Sequence, residues 1–229
     1  SAQMLLGGGF EAALTSAFLK VESDLEVRSR MDNIALQVSG STATVAIRSR
    51  FRNELWVATV GDSRAILVVP GMGAVYSTRD HKPSEETEAK RLAESGAQVE
   101  CIRYADGDVD ARVYVKDERY PGLAMSRSLG DVCVKDYGVV AAPEVVKWKL
   151  NRSWNTCYYL ACSDGVWDYL KTDEVADFVL KEVEAGTRCG EIAEMLGEMA
   201  KERWVEEEDG DYCDDITVLL VPLDCRMSL

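Results

Sequence analysis

The sequence has little histidine and few basic residues. Its 229 residues include one histidine, and 26 Lys and Arg stand against 40 Asp and Glu, a formal net charge of −14. One histidine argues against histidine-rich zinc or copper sites, and an acidic chain is a poor nucleic-acid partner because phosphate backbones attract basic surfaces. No apolar run approaches the ~18 residues that span a bilayer. We therefore expect neither nucleic acid nor a membrane as a partner.

Motifs of several catalytic classes are also missing. No glycine-rich loop of the P-loop or dinucleotide-binding type is present to hold phosphates. A Ser-His-Asp triad would depend on His81 alone, and we interpret His81 instead as a structural turn residue. No Cys-x-x-Cys pair occurs among the seven cysteines, so we expect free, mostly buried thiols in a reducing compartment. No secretory leader is evident, so we expect a location in the cytoplasm or nucleus. We also expect a monomer.

Apolar residues make up 47% of the chain, enough to fill a core, and their spacing predicts a mixed fold. Helices are predicted over 10–26, from a Ser84 cap to about 95, over 172–183, and around 192–204. Strands are predicted over 41–50, 55–60, 65–69, 154–162 and 216–221. Short turns at 61–64 and 71–73 imply antiparallel pairing. We predict one α+β domain over 1–229, with an irregular, charged surface excursion at 99–122.

Aspartates stand at the ends of the predicted strands. Asp164 and Asp168 follow one apolar strand, Asp214 and Asp215 precede another, and Asp62 lies in a turn between two more. Carboxylates that converge at the rim of a sheet repel one another unless a divalent cation intervenes. The pattern therefore indicates a site of hard oxygen ligands. The alternative interpretation is a set of ordinary solvated turn residues.

Six short motifs follow one another along the chain. They are Gly-Ser-Thr-Ala at 40–43, Val-Gly-Asp-Ser-Arg at 60–64, Arg-Asp-His-Lys-Pro at 79–83, Leu-Ala-Met-Ser-Arg-Ser-Leu-Gly-Asp at 123–131, Ser-Asp-Gly-Val-Trp-Asp at 163–168 and Asp-Asp-Ile-Thr-Val at 214–218. In this order they resemble the serial motifs of the type 2C, metal-dependent (PPM) serine/threonine protein phosphatases. The resemblance runs from about residue 10 to residue 222.

The resemblance implies an antiparallel β-sandwich flanked by α-helices, in α-β-β-α layers, with two Mn²⁺ or Mg²⁺ ions at one edge. It implies that Asp164 and Asp214 bind one of these ions, and that Asp62 and Asp168, together with Asp164, bind a weaker third ion. The implied activity is hydrolysis of phosphoserine and phosphothreonine in phosphoprotein substrates by a metal-activated water. The excursion at 99–122 would correspond to the family's flap, where substrate choice is tuned.

The sequence also departs from the family pattern. The Asp-Gly-His-Gly segment that bridges two metals, and an upstream arginine that grips phosphate, do not occur in the 229 residues, and Asp215 stands where Asn is usual. Two explanations stay open: an N-terminal portion is lacking, or the protein is an inactive relative that binds or scaffolds phosphoproteins. Retention of the four metal-type aspartates favours the first. A purely structural acidic domain is a third, remoter interpretation.

Three tryptophans and one arginine receive structural interpretations. We expect Trp154, Trp167 and Trp204 to pack in the core or at strand ends rather than form a stacking platform. We expect Arg127 to pair with nearby acids rather than contact substrate. The acidic stretch 206–211 is predicted as a solvated loop before the last strand.

Overall fold

A computed structural model describes residues 9–32, 34–49, 52–103 and 109–226. The chain divides into two compact units. Unit 1 comprises residues 1–43, 58–62 and 80–145, and unit 2 comprises residues 44–57, 63–79 and 146–229. The helices are α1 (Gly9–Asp32), α2 (Glu86–Glu94), α3 (Asp164–Trp167), α4 (Thr172–Glu184) and α5 (Cys189–Glu207), with 3-10 turns at Val132–Tyr137 and Arg152–Trp154.

Most strands belong to antiparallel sheets. The strands are β1 (Gly40–Ser41), β2 (Ala43–Ser49), β3 (Glu54–Val60), β4 (Arg64–Val69), β5 (Gly73–Ser77), β6 (Gln98–Arg103), β7 (Val109–Tyr114), β8 (Pro121–Leu123), β9 (Leu129–Gly130), β10 (Glu144–Lys149), β11 (Thr156–Cys162) and β12 (Val218–Asp224). The sheet orders are β10-β3-β2, β12-β11-β4-β5, β6-β7-β8 and β1-β9. The ladders of β11 with β12 and of β11 with β4 are antiparallel. The predicted α+β class is confirmed.

Unit 2 contains a β-sandwich with helices on one side. Leu55 and Val57 of β3 share a buried cluster with Leu67 of β4 and Tyr159 of β11. The β10-β3-β2 sheet therefore packs face to face with the β12-β11-β4-β5 sheet. The opposite face of β4 and β11 packs against α3, α4 and α5 through a second cluster that includes Ile66. Because β4 is buried on both faces, its sequence is continuously apolar rather than alternating.

Unit 1 contains α1, α2 and the sheets β1-β9 and β6-β7-β8. Leu14, Phe18 and Glu22 are the buried residues of α1, at the steps of four that place side chains on one helix face. Leu92 of α2 packs with Val113 of β7 in a cluster that also holds residues from the 3-10 turn. The helix predicted over 10–26 is confirmed, and it continues to residue 32.

The predicted irregular excursion at 99–122 is wrong, because β6, β7 and β8 form a three-stranded antiparallel sheet there. Ala111 and Val113 are buried, while Arg112 between them is exposed. Arginine and aspartate on the outward face hid this alternation among charges. Residues 104–108 of the excursion lie outside the described residues. The flap role of 99–122 stays a prediction.

Other differences are local. The cap of α2 is Glu85 rather than Ser84, and it makes no side-chain capping bond. The turn at 61–64 joins β3 and β4, which lie in different sheets, so it is not a hairpin; the turn at 71–73 is one. All seven cysteines are free, but only Cys157, Cys162 and Cys225 are buried. Within the part of the chain described here, no helix has the length and apolarity needed to cross a membrane.

Candidate functional site

The end of β11 is joined to the segment that leads into β12. The Ser163 hydroxyl donates to the carbonyl of Asp215 (2.9 Å) and accepts from the N–H of Thr217 (2.9 Å). The Ser163 N–H donates to the carbonyl of Thr217 (3.1 Å). These hydrogen bonds place the residue after Ser163, which is Asp164, beside the segment that contains Asp214.

Gly165 makes the same approach possible from the other side of Asp164. A Cβ at Gly165 would lie 2.6 Å from the carbonyl oxygen of Asp215, closer than any side chain can come. The Gly165 carbonyl accepts a hydrogen bond from Nε1 of the buried Trp204 (2.7 Å). Ser163 and Gly165 therefore both contact the backbone of the segment before β12, and Asp164 lies between them in the sequence.

Asp164 and Asp214 are each partly buried and held by a local hydrogen bond. The N–H of Gly165 donates to Oδ1 of Asp164 (3.0 Å), and the N–H of Asp215 donates to Oδ1 of Asp214 (2.7 Å). A carboxylate that accepts a main-chain N–H has a defined orientation, which is what a ligand needs before an ion arrives. Asp164 also opens α3, where the helix dipole favours negative charge.

Several of these carboxylates influence the hydroxyl of Tyr212. The charge of Asp214 raises the pKa of the Tyr212 hydroxyl, with smaller contributions from desolvation, Asp164 and Asp215. Three carboxylates therefore act on one phenol, although Asp164 lies far from the other two in the sequence. The structure thus brings Asp164 and Asp214 into one neighbourhood, and their role as metal ligands stays a prediction.

Asp168 is exposed and follows α3 directly. Its N–H donates to the carbonyl of Asp164 (2.9 Å), so it lies one helical turn from that residue. Between them, Trp167 donates from Nε1 to the carbonyls of Arg64 (3.2 Å) and Cys162 (3.1 Å). The Arg64 guanidinium lies 5.0 Å from the centre of the Trp167 ring. Trp167 is a packing residue, as predicted, and Trp154 and Trp204 are as well.

Asp62 belongs to unit 1, whereas the other three predicted ligands belong to unit 2. Its side chain is 1% exposed, and Oδ2 lies 2.6 Å from Nζ of Lys82. Its other oxygen, Oδ1, has no hydrogen-bond partner among the described residues. A buried carboxylate oxygen without a donor is costly, and it is suited to a cation. The sequence prediction did not include Lys82.

His81 holds the turn before Asp62. Its N–H donates to the carbonyl of Gly61 (3.1 Å), and the N–H of Gly61 donates to Nδ1 of the ring (3.1 Å). Gly61 has φ +99°, and a Cβ there would lie 2.3 Å from Cγ2 of Thr42. His81 is fully buried and lies in an irregular segment just before the turn at 83–84. Its contacts with Gly61 agree with a structural role.

A buried network centred on Glu88 supports His81. Glu88 is fully buried and accepts two hydrogen bonds from Arg127 (2.7 and 3.0 Å), one from Arg91 (2.8 Å) and one from Ser126 (2.6 Å). Burial opposes ionisation, but the bonds from Arg127, Arg91 and Ser126 outweigh it and hold the pKa of Glu88 far below its usual range. The expectation that Arg127 pairs with an acid is confirmed.

The Glu88 network reaches His81, which holds Gly61, the residue before Asp62. The N–H of Ser126 (2.7 Å) and its hydroxyl (3.0 Å) both donate to the carbonyl of His81. Ser126 therefore joins the motif at 123–131 to the motif at 79–83, and Glu88, which belongs to neither motif, holds Ser126. Only its position four residues before the buried Leu92, on the inner face of α2, distinguished Glu88 from surface acids in the sequence.

Within the described ranges, no three or more His, Cys, Asp or Glu side chains are arranged to hold a metal ion. The chemistry of the carboxylates nevertheless fits Mg²⁺ or Mn²⁺, which prefer oxygen ligands. Magnesium sites in proteins commonly use one or two carboxylates and several waters. The pair Asp164 and Asp214 meets that requirement.

Comparison with known proteins agrees with the motifs. A family model described as protein phosphatase 2C matches residues 2–209. The rice (Oryza sativa subsp. japonica) protein named "Probable protein phosphatase 2C 64" is 33% identical over 221 residues, which cover 94% of this chain and 49% of that protein. A second rice protein, "Probable protein phosphatase 2C 12", is 34% identical over 223 residues, which cover 96% of this chain and 54% of that protein. This chain thus spans about half the length of these relatives.

The fold is similar to that of solved phosphatases. A crystal structure of serine-threonine phosphatase 2C from Toxoplasma gondii superimposes with a TM-score of 0.73 at 20% identity, covering 93% of this chain and 66% of that one. At this identity the similarity concerns the fold. The family model, in contrast, covers most of the sequence. The chain belongs to the protein phosphatase 2C family.

Proposed function

We propose that the protein hydrolyses phosphoserine and phosphothreonine in phosphoproteins, with Mn²⁺ or Mg²⁺ as cofactor. The observation that supports this most directly is the common neighbourhood of Asp164 and Asp214, which the contacts of Ser163 and Gly165 with Asp215 hold together. The proposal includes a single phosphatase domain over 1–229 with a flap at 99–122. It also includes a monomeric state and a cytoplasmic or nuclear location.

In this proposal Asp164 and Asp214 would hold a divalent ion, with waters in the remaining positions. A bound ion of this kind supplies Lewis-acid activation of water and neutralises charge on the phosphoryl group. The protein's own contribution is rigidity: Ser163 and Gly165 fix both ligands through main-chain contacts before an ion binds. Such pre-organisation avoids the cost of ordering ligands during the reaction.

Asp62 and Asp168 are proposed ligands of a weaker, third ion. The orphan Oδ1 of Asp62 suits this role, while Lys82 already supplies a positive charge to Oδ2. An ion that binds Asp62 therefore competes with an internal cation. This competition agrees with weak binding at that position.

The test measures phosphate release from phosphoserine and phosphothreonine peptides. Both the 229-residue chain and the longest native reading frame that contains it are assayed with MnCl₂ or MgCl₂ and then with EDTA. We expect hydrolysis that EDTA abolishes, and a loss of about 100-fold or more in Asp164→Asn and Asp214→Asn. Asp177→Asn, at an exposed position of α4, is the matched control. Full activity and metal affinity in Asp164→Asn would exclude the proposed metal role.

An inactive relative that binds phosphoproteins is the second candidate. It is favoured by Lys82, which pairs with a predicted ligand, and by the missing three-ligand group in the described ranges. This candidate predicts phosphopeptide binding without turnover at saturating metal, in the longer protein as well as in this chain. Metal titration by calorimetry separates both candidates from a purely structural acidic domain, which would bind no divalent ion at millimolar concentration.

A further inference from the structure

An exposed aromatic ring lies beside the two proposed metal ligands. Tyr212 is 57% exposed, although it is a large aromatic residue. Its ring meets the Trp204 ring edge to face, with centroids 5.5 Å apart and planes at 78°. Trp204 meets Tyr169 in the same manner, at 4.5 Å and 89°. The three rings form a row in which the buried Trp204 lies between the partly buried Tyr169 and the exposed Tyr212.

The row of rings is fixed to the site. Trp204 is 5% exposed, and its Nε1 donates to the carbonyl of Gly165, the neighbour of Asp164. The Tyr169 hydroxyl donates to Glu208 at the end of α5. The outermost ring therefore has a rigid base and a defined place relative to Asp164. A rigid exposed ring loses little conformational entropy on contact, which is why tyrosine is common in binding surfaces.

The electrostatic surroundings of the Tyr212 ring are negative. Asp215, which is not a predicted metal ligand, follows Tyr212 three positions later. The preceding stretch 206–211 contains five further acids. Arg203, three residues before this stretch, is paired with Glu174 (2.9 Å) and lies 3.9 Å from Glu206. An aromatic face in such a field attracts a cation and repels an acidic side chain.

We infer that Tyr212 is a specificity-determining residue, and that its ring contacts a basic side chain, arginine in particular, adjacent to the phosphorylated residue of the substrate. This inference rests on the proposed function, because it places the phosphorylated residue at Asp164 and Asp214. Arginine is favoured over lysine because its planar guanidinium stacks on aromatic faces and is less strongly hydrated.

The test compares phosphothreonine peptides that differ only beside the phosphorylated residue, which is flanked by Arg, Ala, Glu or Phe. The quantity measured is the ratio of kcat/KM for the Arg peptide to that for the Ala peptide. In the wild type we expect this ratio to exceed one, and Tyr212→Ala to lower it about 2- to 30-fold. Tyr212→Phe keeps the ring and should keep the ratio. Val205→Ala, at an exposed position near the end of α5, should also keep the ratio.

Two outcomes would overturn the inference: an unchanged Arg-to-Ala ratio in Tyr212→Ala, or a loss confined to the Phe peptide, which would indicate an apolar contact. Para-nitrophenyl phosphate, which has no flanking side chain, separates this failure from failure of the proposed function. If the wild type hydrolyses neither para-nitrophenyl phosphate nor any peptide, binding of the same peptides is measured by fluorescence polarisation. Tighter binding of the Arg peptide that is lost in Tyr212→Ala then supports the inference, and equal binding by both proteins refutes it.

Discussion

Gly165 and Asp215 touch through their main chains. A Cβ on Gly165 would lie 2.6 Å from the Asp215 carbonyl oxygen and 3.1 Å from its carbonyl carbon. No flexible side chain is available to move away, because both atoms belong to the backbone that Ser163 also holds. The contact fixes how near the Asp164 loop and the Asp214 loop can come to each other.

Gly165→Ala should therefore separate the two loops. We expect a loss of about 1–3 kcal/mol in the free energy of unfolding, since an added methyl group in a closed contact displaces backbone. Mn²⁺ affinity, measured by calorimetry, should fall as well. Gly190→Ala is the control, because a Cβ at Gly190 meets nothing within 4 Å and alanine is the better helix former. Equal urea midpoints for the two variants would contradict the prediction.

Glu88→Gln should reveal the strength of the buried network. Removing the charge leaves Arg127 and Arg91 without their carboxylate, and we expect a loss of about 3–5 kcal/mol at pH 7. Urea unfolding measures this loss. Glu86→Gln, at an exposed position in the first turn of α2, should change stability by less than about 0.5 kcal/mol.

The same network predicts a pH dependence. Because the folded pKa of Glu88 lies below the unfolded value of 4.5, its contribution is fully present above that pH and declines as the pH falls further. The stability difference between the wild type and Glu88→Gln should therefore be constant from pH 7 to about 5 and shrink in stronger acid. A difference that grows on acidification would show that Glu88 is not the stabilised carboxylate.

Lys82→Met should distinguish an ion pair from a metal site at Asp62. Loss of the ammonium group leaves a carboxylate that is 1% exposed without its cation, so we expect a lower melting temperature in EDTA. If Asp62 binds a divalent ion, MnCl₂ should raise the melting temperature of Lys82→Met more than that of the wild type. Equal increases in both proteins would argue against an ion at Asp62.

Thiol labelling should separate the cysteines into classes. Cys101 and Cys213 are exposed, whereas burial raises the pKa of the Cys157 and Cys162 thiols and disfavours their reactive thiolates. With DTNB at pH 8 we expect Cys101 and Cys213 to react first. All seven cysteines should react in urea. The double variant Cys101→Ser/Cys213→Ser should lose the fast phase, and a fast phase that persists would contradict the burial pattern.

Much of unit 2 was predictable because its core follows simple periodicities. Strands β3 and β4 are apolar runs, and α4 and α5 carry apolar residues at helical spacing. The Ser-Asp-Gly motif alone was enough to predict Asp164 as a metal ligand, and that role stays a prediction. The sheet at 98–123 was missed because its polar face is highly charged, so the alternation that marks a strand was weak.

The support of the site could not be predicted because its contacts are long-range and polar. Glu88 looks like any acid in the first turn of a helix, and its main partner, Arg127, lies 39 positions further along the chain. Lys82 likewise stands next to the only histidine, and nothing in the local sequence indicates that it pairs with Asp62. Pairing of charged side chains depends on which turns meet in space, and periodicity carries no information about that.

The position of β11 between β12 and β4 has a consequence for length changes. Each residue of β11 pairs with β12, and the last five also pair with β4, up to the residue before Ser163. An inserted residue inside β11 would turn every following side chain to the opposite face, because side chains alternate along a strand. Added residues should therefore be tolerated at the open 71–73 turn, where Gly71 and Gly73 have no neighbours in the way. The same addition within β11 would rotate Asp164 away from Asp214.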